Sequence, residues 1–465
     1  MRILIAASEA VPYFKTGGLA DVAGALADAL AAGGHDVLLA LPRYTSMNTA
    51  AVAAGDTTVP WPGGRRQVAI FEETRPSGAR AAFLAAEEFF ATDRPYEPPP
   101  GEPLGLGRRF AFFSRTVAAL SRAWQADVIH LNDWQTGLVP VYGLVDGTEA
   151  ATVFAVHNLA YQGNFPRPVL RQTGVPDEFF RTENGLEFYG QASFMKAGIA
   201  IADRLVTVSP TYASEIQTPA YGAGLHGLLS FRRRTLHGVL NGIDMAAWNP
   251  VTDPLIPARY SARTPGAKAD NRTALLRRTG IDGDGPVLGM VTRIAHQKGI
   301  DILLAALPGL VRRGCSLVLL GDGDRGFLHA LESVASEWPD RVTIVEGFDE
   351  PLAHLIYAGA DYFLMPSLYE PCGLGQMIAQ RYGTPPIARR TGGLNDTITD
   401  GSTGFLFEDP TPDALLDAVD RAAGRWRRRG WRAMQVRCMR LDNSWARSAR
   451  EYEHIYRLAM GSLAP

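Results

Sequence analysis

The stretch that decides the fold is residues 2–42, RILIAASEAVPYFKTGGLADVAGALADALAAGGHDVLLALP. It opens with an apolar strand, Arg2 to Ala7, and passes through a glycine-containing loop into a helix near Ala20 to Ala32. Gly33 and Gly34 end that helix, and the chain returns as a second apolar strand. This order of strand, helix and strand predicts a βαβ unit, the building block of a parallel sheet.

The same alternation continues along the rest of the chain. Three more strands are predicted in the first half, and a more regular series of five follows in the second half. Two series of this kind predict an α/β protein with two doubly wound, Rossmann-like sheets. The first set of strand segments is ADVIHL (126–131), TVFAVH (152–157) and DRLVTVS (203–209); the second is VLGMVTR (287–293), SLVLLG (316–321), RVTIVEG (341–347), DYFLMPS (361–367) and TPPIARR (384–390).

The length of the chain also favours two domains. Its 465 residues exceed the size at which a single apolar core stops growing, so two domains of roughly 200 residues are expected. After NGID at 241–244, residues 250–285 are rich in Pro, Asp and Arg and have weak periodicity. We therefore place the domain boundary near Asp244.

Composition excludes several classes of protein. Lys plus Arg number 46 against 48 for Asp plus Glu, so no broad positive field is available for a nucleic acid. Three widely spaced cysteines form no CxxC pair, which argues against a zinc or redox site and favours a reducing, cytoplasmic location. The apolar run at the N-terminus is too short for a signal peptide, and no stretch of 18 apolar residues predicts a membrane span.

Loops after the predicted strands hold the candidate functional residues, because ligands of open α/β sheets bind at the carboxyl ends of the strands. In the loop SEAVPYFKTGGLAD, Lys15 precedes Gly17 and Gly18 at the start of a helix. An ammonium group beside bare helix N–H groups suits a phosphate. Isolated Gly-Gly pairs are also common in plain βα turns, so this loop alone does not decide the function.

Two loops of the second series carry charge. Arg293 and Lys298 follow one strand and precede a helix, where two cations suit a diphosphate leaving group, although solvated surface charge is an equal alternative. Glu370 follows the strand DYFLMPS, and Gly373 beside it permits a close approach of the backbone. A carboxylate at this place can accept hydrogen bonds from sugar hydroxyl groups.

Polar residues also collect at strand ends in the first half. His130, Asn132 and Asp133 end one strand, and His157 and Asn158 end the next. A single histidine at a strand end is more often structural than catalytic. A histidine and an aspartate at neighbouring strand ends favour a catalytic role more strongly.

A competing pattern is the GDGDRG sequence at 321–326, which lies between a strand and a helix as in a dinucleotide-binding fingerprint, with Glu346 further on. Asp322 and Asp324 would set two carboxylates beside a pyrophosphate, which disfavours that alternative. The same two carboxylates are too few oxygen ligands for a hard metal ion.

Taken together, these loops resemble the glycogen and starch synthase family. Six motifs of that family occur in the family's order, and any one of them alone would be weak. They read KTGGLADV at 15–22, HNLAYQG at 157–163, NGID at 241–244, QKG at 297–299, EPCGL at 370–374 and TGGLNDT at 391–397.

The resemblance implies a GT-B fold, in which two Rossmann-like domains face a central cleft. The N-terminal domain would span residues 1–244 on the acceptor side, and residues 245–443 would form the domain that binds the nucleotide sugar. A C-terminal helix within 444–465, predicted at Ser444 to Met460, would pack back on the first domain.

The resemblance also implies the reaction and its partners. Glucose would pass from ADP-glucose to the non-reducing 4-hydroxyl group of an α-1,4-glucan primer with retention of configuration, without a metal or another cofactor. The alternatives are another GT-B transferase with a different sugar donor or small acceptor, a dinucleotide oxidoreductase and a non-catalytic glucan-binding protein. Neither nucleic acid nor a membrane is expected as a partner.

Roles carry over from the family motif by motif. Among the residues expected to act in catalysis, Arg293 and Lys298 would bind the donor diphosphate and Glu370 the sugar, while Asp133 and His157 would border the transferred glucose. Substrate-binding positions are expected at Lys15, Gly17, Gly18, Asp21, Asn241, Gly347, Phe348, Cys372, Gly373 and Leu374, with the adenine on Gly347 and Phe348.

The sequence departs from the family pattern at a few positions. Gln135 follows NDW where His is common, and Gly375 replaces Thr after EPCGL. Ile378 stands where related GT-B enzymes often carry a second Glu, so ribose recognition must come from elsewhere. An aromatic residue is usual before DRP, whereas this chain has Thr92 there and Tyr96 after it.

Overall fold

A computed structural model describes residues 1–461. The chain forms two compact units. Unit 1 comprises Met1–Val208, Ala213–Val239 and the C-terminal segment from Trp445, and unit 2 comprises Ser209–Tyr212 and Leu240–Ser444. The prediction of separate domains at 1–244 and 245–443 divides the chain close to these bounds, and it stays a prediction about independently folding parts. No helix among residues 1–461 has the length and apolar character needed to cross a membrane.

Unit 1 is built on a nine-stranded sheet whose order, within the described residues, is β12-β11-β7-β6-β1-β2-β5-β4-β3. The seven strands from β12 to β5 are parallel, and the hairpin β3–β4 adds an antiparallel edge. The order of the parallel strands reverses between β1 and β6, which is the topological switch point where ligands of such sheets bind. Its strands are β1 (Arg2–Ala6), β2 (Asp36–Pro42), β3 (Val52–Trp61), β4 (Gly64–Thr74), β5 (Arg80–Ala85), β6 (Val128–Asn132), β7 (Ala151–Val156), β11 (Arg204–Thr207) and β12 (Leu236–Gly238). Three further strands of unit 1 lie outside this sheet: β8 (Asn164–Pro166), β9 (Glu187–Phe188) and β10 (Gln191–Ser193).

Strands β8, β10 and β9 form a separate small antiparallel sheet. Helices join the strands of unit 1, and the first of them is rich in Ala and Leu, which are strong helix formers. The helices between residues 1 and 239 are α1 (Gly18–Ala32), α2 (Glu87–Phe90), α3 (Gly105–Trp124), α4 (Val139–Asp146), α5 (Val169–Thr173), α6 (Phe194–Ile201), α7 (Pro210–Glu215) and α8 (His226–Phe231), with 3-10 turns at Trp134–Thr136 and Asp177–Phe179.

Unit 2 contains a six-stranded parallel sheet, with the order β15-β14-β13-β16-β17-β18 among the described residues. Numbered from its own first strand this is the order 3-2-1-4-5-6, which is that of a Rossmann fold. Its switch point lies between β13 and β16. The strands are β13 (Val287–Val291), β14 (Ser316–Gly321), β15 (Val342–Glu346), β16 (Tyr362–Met365), β17 (Pro386–Arg389) and β18 (Phe405–Phe407).

Helices separate the strands of unit 2, as parallel pairing requires. The buried apolar residues of four of these helices form one core cluster with the strands. The helices are α9 (Lys268–Thr279), α10 (Ile300–Arg312), α11 (Arg325–Glu337), α12 (Glu350–Gly359), α13 (Gly375–Arg381), α14 (Gly392–Thr397), α15 (Pro412–Ala423) and α16 (Trp431–Met439), with 3-10 turns at Pro265–Ala267 and His296–Lys298.

The last helix, α17 (Trp445–Gly461), belongs to unit 1. Its buried residues join the core cluster that contains the apolar faces of α1, β1 and β2. Tyr456 donates or accepts a hydrogen bond of 3.2 Å at His130 Nδ1, and the His130 ring also meets the ring of Tyr452 edge on. His130 is therefore a buried contact between strand β6 and the last helix.

The predicted α/β class with two parallel sheets is confirmed. All ten predicted strands named above occur, with ends that differ by a few residues. The hairpin β3–β4 and the small sheet of β8, β10 and β9 were not predicted. Much of β3 is exposed on both faces, so its sequence lacks the apolar alternation by which half-buried strands are recognised.

Candidate active site

Two charged loops leave neighbouring strands at the switch point of unit 2. Arg293 lies two residues after the end of β13, and Lys298 closes the 3-10 turn just before α10. Glu370 follows β16, the strand on the other side of the switch point. The sheet order thus brings together side chains that are 72 residues apart in sequence.

Lys298 and Glu370 form an ion pair. Lys298 Nζ donates to Glu370 Oε2 over 2.6 Å, and Ser367 Oγ donates to the same oxygen over 3.0 Å. The Lys298 and Glu370 side chains are only 17% and 7% exposed, so water screens their charges weakly. Arg293 is exposed. The loops therefore present the exposed Arg293 guanidinium beside a fixed ammonium–carboxylate pair.

The loop of Lys298 is held against the loop of Glu370 by backbone contacts. Gly299 has φ +69°, and a Cβ at this position would lie 2.0 Å from the carbonyl oxygen of Pro366. Leu368 N donates to Gln297 O over 2.9 Å, and Gln297 Nε2 donates to Tyr369 O over 3.2 Å. Only glycine permits this approach, which explains the glycine of the QKG motif.

The TGGLNDT segment, residues 391–397, packs against the backbone of the Glu370 loop. Gly393 N donates to the carbonyl oxygens of Glu370 and Pro371 over 3.1 and 3.2 Å. Gly392 has φ +44°, and a Cβ there would lie 2.0 Å from the Glu370 carbonyl oxygen. These contacts fix the backbone from which the Glu370 side chain extends.

Cys372, Gly373 and Leu374 continue the same loop into α13. Cys372 is buried, burial raises the pKa of its thiol to about 12, and the backbone N–H of Asn241 points at its sulfur. The Gln376 amide donates to the carbonyl oxygens of Cys372 and Gly373 over 3.0 and 2.9 Å. The Cys372 thiol is thus neutral and enclosed. A ligand at this loop can therefore contact the backbone of the loop but not the thiol.

Gly347 and Phe348 follow β15 in unit 2. Gly347 N donates to Gly321 O over 3.0 Å, which continues the pairing of β14 and β15 by one residue. The Phe348 side chain is 90% exposed. An aromatic ring so exposed at the end of a Rossmann strand is available for stacking.

The GDGDRG loop does not have the form of a dinucleotide site. Asp324 Oδ1 accepts from Phe327 N over 3.0 Å and so caps α11, where a pyrophosphate would otherwise sit. The loop also pairs with the chain after β13, through Ile294 N to Asp322 O (2.7 Å) and Asp324 N to Ile294 O (2.8 Å). The glycines of this loop permit the close approach of the two backbone segments.

In unit 1, Asp133 is the first residue after β6, at the switch point. It has φ 55°, an uncommon conformation for a residue with a side chain. Its Oδ1 accepts from His157 N over 2.8 Å, and burial raises the pKa of its carboxyl group to about 7. A strained, partly buried acid whose pKa is raised to near neutrality is typical of functional positions.

His157 lies at the end of the next strand, β7. Its Nε2 is 2.8 Å from Asn132 Oδ1, and Asn132 Nδ2 donates to Ala6 O over 2.9 Å, which sets the orientation of the amide. His157 Nε2 is therefore the donor, and Nδ1 carries no proton in the neutral ring. Burial lowers the pKa of His157 to about 4, so the ring is neutral at pH 7.

The KTGG loop begins the helix α1. Lys15 Nζ donates to Asp21 Oδ1 over 2.8 Å, and both side chains are solvent-accessible. A Cβ on Gly18 would meet no atom within 4 Å, and one on Gly17 would meet only Glu9 Oε1, at 3.8 Å. Packing within the chain does not demand glycine here, so the open space above this backbone is free for a ligand.

Sequence reasoning missed Glu9, which shapes the KTGG loop. Its carboxylate is 2% exposed, and its Oε2 accepts from Thr16 N (2.6 Å) and Thr16 Oγ1 (2.7 Å). Burial raises the pKa of Glu9. Tyr96 reaches the same loop, with its hydroxyl 2.9 Å from Ser8 Oγ. The signal in the sequence was a carboxylate placed directly after an apolar strand.

Among residues 1–461, no three His, Cys, Asp or Glu side chains are grouped closely enough to hold a metal ion.

Comparisons with known proteins agree with this arrangement. Residues 2–231 match the family of starch synthase catalytic domains, and residues 285–424 match the group 1 glycosyl transferases. The chain is 44% identical to glycogen synthase 1 of Methylococcus capsulatus, over 100% of this chain and 97% of that protein. It is 47% identical to the glycogen synthase of Anaeromyxobacter dehalogenans strain 2CP-1, over 100% of both.

Among solved structures, the catalytic domain of starch synthase IV from Arabidopsis thaliana, bound to ADP and acarbose, superposes with a TM-score of 0.87. It is 31% identical to this chain, and the match covers 99% of each. The fold is therefore that of the GT-B glycosyltransferases, and the predicted resemblance is confirmed. The chain belongs to the glycogen and starch synthase family of glycosyltransferases.

Proposed function

We propose that this chain transfers glucose from ADP-glucose to the non-reducing 4-hydroxyl group of an α-1,4-glucan primer, with retention of the α configuration and release of ADP. The observation that carries the proposal is the partly buried Lys298–Glu370 pair, 2.6 Å long, beside the exposed Arg293 at a Rossmann switch point. The family supplies the donor class, and the ADP in the starch synthase IV structure supports adenine as the base.

In unit 2, Arg293 and Lys298 bind the diphosphate of the donor. As the bond between the anomeric carbon and the phosphate oxygen breaks, negative charge grows on that oxygen, and fixed cations stabilise it. Glu370 keeps Lys298 Nζ in one place and accepts hydrogen bonds from glucose hydroxyl groups. The adenine stacks on Gly347 and Phe348, while Cys372, Gly373 and Leu374 contribute backbone groups and Asn241 supports their loop.

In unit 1, Lys15, Gly17 and Gly18 offer an ammonium group and bare backbone N–H groups to the donor, with Asp21 holding Lys15. Asp133 and His157 border the transferred glucose. Neutral His157 has one unprotonated ring nitrogen, so it accepts a hydrogen bond from a sugar hydroxyl group without adding charge.

Retention follows from attack on the face that the diphosphate leaves. The acceptor 4-oxygen forms the new bond to the anomeric carbon, its proton passes to the departing phosphate oxygen, and the bonding pair of the broken bond stays on that oxygen. The protein contributes position and charge stabilisation. Isolation of a covalent glucosyl-enzyme adduct would contradict this mechanism.

The test is nucleotide release from ADP-glucose and from UDP-glucose, each with and without a glycogen primer, in a buffer that contains a chelator. Release of ADP that depends on the primer supports the proposal, including its independence of metal. Release from UDP-glucose alone, or release with a small acceptor in place of the primer, supports the alternative of another GT-B transferase. The cytoplasmic location stays a prediction.

A further inference from the structure

A cavity of about 650 Å³ lies in unit 1, away from the strand ends of the switch point. One wall is the edge strand β12 with the residue that follows it, and the other wall is one face of α17. On α17 the lining positions follow the spacing i, i+3, i+4, i+7 and i+8, which is a single helix face. The lining residues are Leu236, His237, Gly238, Val239, Arg447, Arg450, Glu451, His454 and Ile455.

The polar lining of this cavity is mainly basic. Arg447, Arg450, His237 and His454 face it, against the single acid Glu451, which is 3.7 Å from Arg447. Arg450 is exposed, and among residues 1–461 its side chain has no ion-pair partner. Arg447 and Arg450 lie one turn apart on the same helix face, where like charges repel each other.

The next strand adds to the positive field. The guanidinium group of Arg204, in β11, donates a hydrogen bond of 3.0 Å to Leu458 O of α17. Burial and the charges of Arg204 and His454 lower the pKa of His237. His237 Nε2 is enclosed and has no hydrogen-bond partner in the described part of the chain. Arg204 therefore adds a third guanidinium charge near the cavity, which favours an anion.

We propose that this cavity is a second ligand site, separate from the glucosyl-transfer site, which takes a small organic phosphate monoester. Arg447 and Arg450 bind the phosphate oxygens, because guanidinium groups match phosphate geometry. His454, which is exposed, hydrogen-bonds the same group. The volume exceeds that of a phosphate ion, and Leu236, Val239 and Ile455 line the remainder with apolar surface, which suits the carbon frame of the monoester.

The experiment measures binding of glucose 1-phosphate and of inorganic phosphate to the full chain by calorimetry at constant ionic strength. Saturating ADP is present, so that the proposed donor site is filled. Arg450→Ala and Arg447→Ala are compared with Arg457→Ala, a control on the same helix whose side chain is exposed and does not line the cavity. Circular dichroism checks that each variant is folded.

Saturable binding of glucose 1-phosphate, weakened at least tenfold by Arg450→Ala and by Arg447→Ala but unchanged by Arg457→Ala, is the expected result. Binding of inorganic phosphate should be weaker and should respond to the same variants. Absence of saturable binding, or binding that survives both variants, would overturn the proposal. Loss of binding in Arg293→Ala, with binding retained in the two α17 variants, would assign the ligand to the donor site. That result would also overturn the proposal.

Discussion

Lys298 is the residue whose removal tests the candidate site most directly. Lys298→Ala leaves the Glu370 carboxylate, 7% exposed, without its counter-ion and removes one cation from the leaving group. We expect kcat to fall by on the order of 10²- to 10³-fold, measured as ADP release at saturating ADP-glucose and primer.

Arg313→Ala is the matched control for Lys298→Ala. Arg313 also forms an ion pair in unit 2, with Asp420 at 2.8 Å, but it caps the C-terminus of α10, at the opposite end of the helix from Lys298. Its loss should leave kcat unchanged within about twofold, because exposed ion pairs contribute little to stability. Equal losses in both variants would mean that Lys298 acts only through folding.

Two glycines at the starts of α1 and α10 have opposite roles. Gly18→Ala adds a methyl group to open space, and alanine is the better helix former, so the melting temperature should not fall. We expect the KM for ADP-glucose to rise at least tenfold, because the methyl group occupies the space proposed for the donor. Initial rates and thermal unfolding measure the two effects.

Gly299→Ala is the contrasting variant. Its Cβ would lie 2.0 Å from Pro366 O, at φ +69°, so the protein should lose stability. A normal KM for ADP-glucose in the Gly18→Ala variant would show that the donor does not bind at the start of α1.

At the scale of elements, the contact between β6 and α17 makes stability depend on pH. His130 is fully buried, and burial lowers its pKa to about 3. The unfolded chain takes up this proton near pH 6.5 and the folded chain does not, so stability falls as the pH drops below 6.5. By pH 4.5 the loss through His130 is about 3 kcal/mol.

Denaturant unfolding at pH 7 and pH 4.5 measures this loss. Asp133 acts in the opposite direction, because its raised pKa lets the folded state bind a proton first. The difference between the wild type and His130→Gln therefore isolates His130, and the variant should lose about 3 kcal/mol less on acidification. His329→Gln, at a side chain that is 80% exposed, should behave as the wild type. Equal pH dependence in all three proteins would contradict the assignment.

At the scale of the whole molecule, α17 completes unit 1 from the far end of the chain. Trp445, Tyr452, Ile455 and Tyr456 are buried in the core shared with α1 and β1. Each such side chain contributes about 1.5–3 kcal/mol, so their sum approaches the stability of a typical domain.

A chain that ends at residue 444 should therefore lose the unfolding transition of unit 1 and keep that of unit 2. Differential scanning calorimetry measures both transitions, and the unit 2 transition serves as the internal control. Retention of both transitions would mean that residues 1–239 fold without α17. Loss of both would contradict the prediction that the parts on either side of residue 244 fold independently.

The sequence by itself determined the α/β class, the two parallel sheets and the family, because these depend on local patterns. Apolar strands alternate with helices, and motifs such as KTGGLADV and EPCGL are contiguous in the chain. It also indicated which loops matter, since the carboxyl ends of strands can be recognised once the strands are.

Only the tertiary structure decided how those loops are built. The hydrogen bond between Lys298 and Glu370 depends on β13 and β16 being neighbours in the sheet. The sequences of these two strands do not specify which strands pair. The burial of Glu9 and the neutral state of His157 depend on chain segments distant in sequence. The basic cavity is lined by residues 236–239 and by residues between 447 and 455, which are distant in sequence. These features depend on tertiary structure, because hydrogen bonds and burial are set by neighbours in space and not by neighbours in the chain.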